Sequence, residues 1–132
     1  MEEAEREWIL IDYFKIIPAI VVAGIIFYFS SIPNPVPPAA KSGIELDINN
    51  LLHIAEFGLF SFLIAFGFKH KAKNSYLIGF GVFYAIVDEI HQYFVPNRYF
   101  DILDIIADSI GVVLGFLGFM LFEVLYRKFR QE

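Results

Sequence analysis

Apolar residues run through this chain in four long blocks, roughly 13–32, 50–68, 75–95 and 102–126, and the short stretches between them hold most of the charge. At about 1.5 Å of helical rise per residue, each block reaches across or nearly across a hydrocarbon core of ~30 Å. Four such blocks with short connectors leave too little polar surface to clothe a water-soluble domain. The pattern therefore predicts an all-α polytopic membrane protein, a single bundle of four transmembrane helices spanning residues 1–132. The block at 50–68 is the shortest.

Local signals punctuate the blocks. Prolines 33, 35, 37 and 38 predict an extended, semi-rigid connector after the first helix. Asn49 or Asn50 is placed to cap the second helix, Pro96 to end the third, "PNR" to turn the chain tightly, and Asp101 to cap the fourth. In the fourth block Gly111 and Gly115 form a GxxxG pair, with Gly118 further along, a pattern that lets membrane helices approach closely.

Composition agrees with the block pattern: 58% of the 132 residues are hydrophobic, 16 are phenylalanine, and the mean hydropathy is +0.60. Without cysteine the chain has no disulfide and no thiolate metal site. The net charge of −5 hides a segregation that matters more than its sum. Eight of the ten Lys and Arg residues (Arg6, Lys15, Lys69, Lys71, Lys73, Arg127, Lys128 and Arg130) fall on one side of a four-span topology, and Lys41 and Arg98 on the other. The positive-inside rule then places both termini and the connector around residues 69–74 in the cytoplasm. The leader MEEAERE, with four glutamates against one arginine, lacks the basic character of a secretory signal and predicts a retained first helix. Nothing in this charge distribution predicts a nucleic-acid partner.

Against this apolar background, "DEIHQYFVPNRYFDILDIIAD" stands out. His53 and Glu56 sit one turn apart in the second helix, Asp88, His91 and Gln92 share a face of the third, and Asp101, Asp104 and Asp108 share a face of the fourth. Glu89 points away from Asp88 but toward the side of Gln92. The topology brings these groups to similar depth, lining an outward-facing cleft in the outer leaflet. Asp88 lies seven residues before Val95, about 10 Å deeper along the helix.

Ionisable groups in a bilayer are costly unless paired, hydrated or neutralised, and each is a candidate site. Three chemistries compete. In a catalytic version Glu56, Asp88 or an aspartate of the fourth helix such as Asp104 is the base, His53 or His91 shuttles a proton, and Arg98 holds an anionic substrate beside Gln92, Glu89, Asp101 and Asp108. In a metal version His53, Glu56, Asp88, His91 and Asp104 or Asp108 are ligands to a divalent cation, although no complete zinc motif is present. In a structural version the same residues form a hydrated network joining the helices.

Two of these stretches carry a resemblance. "NNLLHIAEFGLFSFL" is similar to the (D/N)KxxHxxxFxxLxxLL segment of the VanZ-like family of small bacterial and archaeal membrane proteins, and "DEIHQYFVPNRYFDILDIIADSIGVVLG" resembles its (D/E)xxQxFxPxRxxDxxDxxxNxxG segment. Asn50 stands where the family often has Lys, and Asp108 where it often has Asn or Asp. The resemblance implies a multi-pass membrane protein whose namesake is linked to resistance to teicoplanin, a glycopeptide that binds cell-wall precursors outside the membrane. It implies a location and a site rather than a reaction.

The expected function is thus that of a cell-envelope protein whose cleft binds, and in one version modifies, a membrane lipid or lipid-linked cell-wall precursor. A non-enzymatic accessory or binding protein is the alternative. A small ion- or proton-coupled carrier is disfavoured, because the inner halves of the third and fourth helices are almost wholly apolar apart from glycine and Glu123.

Overall fold

The computed structural model describes residues 14–33, 48–69 and 71–131. Within them the regular structure is four helices: α1 (Ile17–Ser30), α2 (Ile48–Phe68), α3 (Asn74–Tyr93) and α4 (Ile102–Arg130). Each predicted block holds one helix. The acidic leader, Lys41, His70 and most of the proline-rich connector lie outside the described residues.

The helix ends show which local signals acted. Pro18 sits in the first turn of α1, where a missing N–H costs nothing. Helix α2 begins at Ile48, so Asn49 and Asn50 lie inside its first turn and neither is its cap, contrary to the sequence expectation. Helix α3 stops at Tyr93, before the proline: Phe94 N donates to His91 O at 3.0 Å and Val95 N to Gln92 O at 2.9 Å, the tighter bonding of a closing turn. The chain then reverses through a turn closed by Arg98 N to Val95 O at 3.1 Å. Its central residues are Pro96 and Asn97, and Asn97 has φ 61°. A proline followed by a left-handed residue is what a type II turn requires. Asp101 caps α4 as expected, its Oδ1 accepting from Leu103 N at 2.9 Å.

Helices α2 and α4 meet backbone to backbone. A Cβ added to Gly115 would stand 1.9 Å from Gly58 O, and one added to Gly111 would stand 2.4 Å from Ile54 O. The predicted GxxxG pair thus makes the contact, with Gly58 opposite it. Gly118 does not take part, since its nearest neighbour is a ring atom of Phe62 at 3.9 Å. Around this crossing Phe57, Phe60, Ile64, Val112, Phe116 and Phe119 form the core, joined by Leu77 and Ala85 of α3 and Ala19 and Ile26 of α1.

The outside is as apolar as the inside. Ile20 (64% exposed), Phe83 (61%) and Leu117 (55%) represent a belt of large hydrophobic side chains on α1, α3 and α4. Exposed apolar surface on this scale marks contact with lipid or protein. By length and composition α2 and α4 can cross a membrane. Helix α1 is apolar but has 14 residues, and α3 carries Asp88, Glu89, His91 and Gln92 in its last two turns.

Candidate functional site: a buried polar layer

The polar side chains form two linked groups at one end of the bundle. Between α2 and α4, where the glycine crossing brings the backbones together, short side chains reach one another. Asn50 Nδ2 donates to Asp104 Oδ1 at 3.0 Å, and His53 Nδ1 pairs with Asp108 Oδ1 at 2.9 Å. The other ring nitrogen, Nε2, lies 3.8 Å from Asp104 Oδ2. The imidazole is therefore bracketed by two carboxylates one turn apart on α4. An anchored Nδ1 and an Nε2 turned toward a second acid is an arrangement suited to holding or passing a proton.

The second group joins α3 to the end of α1. Ser30 Oγ donates to Asp88 Oδ2 at 2.7 Å, and Gln92 Nε2 donates to the same oxygen at 3.0 Å. One turn along, Ser31 Oγ lies 2.9 Å from His91 Nε2 and donates its single proton to Phe27 O at 2.7 Å, so the imidazole N–H donates to the hydroxyl. Phe27 stacks on His91 with ring centroids 4.4 Å apart. Arg98 closes this side. Its Nη1 donates to Gln92 Oε1 at 2.9 Å, Nη2 to Phe29 O at 3.0 Å and Nε to Ile32 O at 3.0 Å. The guanidinium thus bonds two carbonyls at and just past the C-terminal end of α1, one of which, Phe29 O, also accepts from Ile32 N at 3.2 Å. It does not fold onto Asp101 and Asp104.

Glu89 ties the two groups together. It is fully buried, and its Oε1 accepts from Asp101 N at 2.5 Å, pinning the start of α4 to α3. The sequence places it toward Gln92; the structure turns it to the α4 side, because consecutive helical residues diverge by about 100°. Glu56 is half-buried, within electrostatic reach of His53, Asp88 and Arg98.

Asn50, Asp88, Glu89, Gln92 and Asp108 are each at most 4% exposed, so these residues form a packed layer within the bundle. Among the described residues, two atoms in it have no hydrogen-bond partner, Asp88 Oδ1 and Glu89 Oε2. The described residues include no group of three or more His, Asp or Glu side chains arranged to hold a metal ion. The reason is visible in the geometry: His53 faces α4 while His91 faces α1, so the proposed ligands divide between two seams. Sequence reasoning missed Ser30 and Ser31, which fall at the end of the first apolar block and were given no role. Their signal is depth, since two hydroxyls ending an apolar helix level with Asp88 are natural partners for it.

An all-helical chain with an apolar outer belt, two helices able to cross a bilayer and a buried carboxylate-rich layer at one end has the character of a membrane protein. Its family follows from comparison with known sequences. The chain belongs to the VanZ/LLP1 family, whose model matches residues 4–123. No curated protein and no solved structure matches the chain.

Proposed function

We propose that this is a four-span protein of the cell membrane, with cytoplasmic termini, whose polar layer lies toward the outer leaflet and binds the head of an amphipathic, lipid-linked cell-wall precursor. The spacing along α4 supports the placement. Asp104 and Glu123 are 19 residues apart, about 28 Å of helix, close to one hydrocarbon thickness. The eight-to-two division of Lys and Arg residues supports the orientation.

The observation that carries the binding reading is the pair of buried carboxylate oxygens, Asp88 Oδ1 and Glu89 Oε2, in a layer whose other polar atoms are largely paired. A buried acceptor without a donor costs about 1–3 kcal/mol, so the layer is short of donors. Sugar hydroxyls and amide N–H groups of a precursor head supply donors, and Arg98 has five N–H groups of which three are used in the bonds described above. The remaining guanidinium donors suit a phosphate at the mouth of the site. The carboxylate-bracketed His53 gives the same site the means to move a proton to or from a bound group.

The test replaces the acceptors. Asp88→Asn and Glu89→Gln retain an oxygen for Ser30, Gln92 and Asp101 N but put an amide donor where the unpartnered oxygen stands. Occupancy by a polyprenyl-diphosphate-linked disaccharide, read by native mass spectrometry, is expected to fall about tenfold for each, the equivalent of one lost charge-assisted hydrogen bond. Unchanged occupancy in both variants rejects the site.

The second reading, a non-enzymatic accessory protein in which the layer fastens helices together, is favoured by one observation. The three bonds of Arg98 described here all go to protein acceptors, and two of them hold the end of α1.

A further inference from the structure

At the opposite end of the bundle from the polar layer, a cavity of about 690 Å³ opens beside the last turns of α4. We propose that this cavity is a binding site for an anionic phospholipid, with the headgroup phosphate held by Lys15, Arg127 and Arg130 and the acyl chains laid against Phe66, Phe119 and Phe122.

The lining divides by chemistry. Cations from two parts of the chain, Lys15 before α1 and two arginines one turn apart on α4, line the cavity together with phenylalanines from α2 and α4. One carboxylate, Glu123, lies among them, and it is already engaged: Lys69 bonds one oxygen and Arg127 Nη2 donates to the other at 2.5 Å. Among the described residues that line the cavity, three are cations and one is a carboxylate, and the aromatic side chains line the same space. A free inorganic anion would use the cations and leave the rings without a role. A nucleic acid would need an extended basic surface rather than a cavity bounded by phenylalanine. A phospholipid uses both the cations and the rings.

Depth points the same way. Glu123 lies about 28 Å of helix beyond Asp104, and the following Arg127 and Arg130 emerge where the apolar run of α4 ends. Basic pockets between helices at that level are suited to lipid head groups, and long cationic side chains reach them by snorkelling. The backbone of Lys15 is fixed there, since a Cβ on Gly67 of α2 would stand 3.1 Å from Lys15 O. Lys15 is thus held at the cavity by packing of its backbone against α2.

The experiment uses the full chain in nanodiscs of equal parts phosphatidylglycerol and phosphatidylcholine, followed by native mass spectrometry of the released protein. The wild type is expected to retain phosphatidylglycerol in preference to phosphatidylcholine. Lys15→Gln and Arg130→Gln should each lower that retention about fivefold, and Arg130→Lys should keep most of it. Thermal unfolding of each variant separates loss of lipid from loss of fold, and the Lys variant reports on charge alone. Equal retention of the two lipids by the wild type overturns the proposal, as does unchanged phosphatidylglycerol retention in the Lys15→Gln, Arg130→Gln double variant. Displacement of the lipid by millimolar inorganic phosphate also overturns it, in favour of a free-anion site. Because Asp88 and Glu89 lie at the other end, their variants leave this readout unchanged.

Discussion

Asp108 holds the imidazole of His53 at 2.9 Å across the seam where α2 and α4 run backbone to backbone. The two facts are connected. An aspartate has a short reach, and the glycine crossing at Gly58, Gly111 and Gly115 brings the helices near enough for that reach to suffice.

The crossing predicts a sharp contrast between glycines of one helix. Gly115→Ala forces the α2 and α4 backbones apart and is expected to destabilise the detergent-solubilised protein by about 1–3 kcal/mol or more, the usual range for overpacking. Gly118→Ala has room and should be neutral or slightly stabilising. Thermal unfolding of the two variants side by side checks this; equal losses would show that the crossing does not govern stability.

For the His53–Asp108 pair, removing one member strands the other in a buried setting. His53→Ala and Asp108→Ala are each expected to cost about 1–3 kcal/mol. The double variant should cost less than their sum by about 1 kcal/mol, a coupling at the upper end for polar pairs between membrane helices. Additive losses in a double-mutant cycle would mean that the contact contributes nothing beyond its separate members.

Arg98 distinguishes a helix fastener from a ligand contact. Arg98→Lys keeps the charge but cannot span Phe29 O, Ile32 O and Gln92 Oε1 together. The fastener role predicts that Lys and Ala both lower thermal stability, by about 1–3 kcal/mol, with precursor binding falling only in step with folding. If Arg98→Lys instead halves or abolishes binding with its melting temperature intact, the guanidinium meets the ligand directly.

Orientation is open to a direct test at two half-exposed positions. With cytoplasmic termini, Arg98→Cys is labelled by an impermeant thiol reagent on intact cells and Ala72→Cys only after permeabilisation. The opposite pattern inverts the topology and moves the polar layer to the inner leaflet.

The helices were legible in the sequence because each is built on a long, largely apolar block, and Asp101 was legible as a cap because its role is local. Their ends were less so. Asn50 carries a capping side chain, yet its amide is used by Asp104, 54 residues away, and no local rule registers a partner at that separation. Asp88, Gln92, His53, Asp104 and Asp108 were found by helical spacing, which fixes the face a residue shares but not the seam that face enters. That gap explains Glu89, whose acceptor role on the start of α4 depends on where the neighbouring helix lies. It also explains Arg98, whose partners are main-chain carbonyls and have no sequence signature.

Contact between the α2 and α4 main chains leaves no space for a side chain, and so none for a guest. These two helices meet main chain to main chain, whereas α1 is joined to α3 through side chains, among them Ser30 to Asp88 and Tyr84 to Ala23. On the binding reading proposed above, a molecule reaching the buried carboxylates enters beside α1 rather than between α2 and α4. In a variant with cysteines at positions 30 and 88, admission of ligand should rise when the disulfide between them is reduced, a comparison that holds the loss of Asp88 constant.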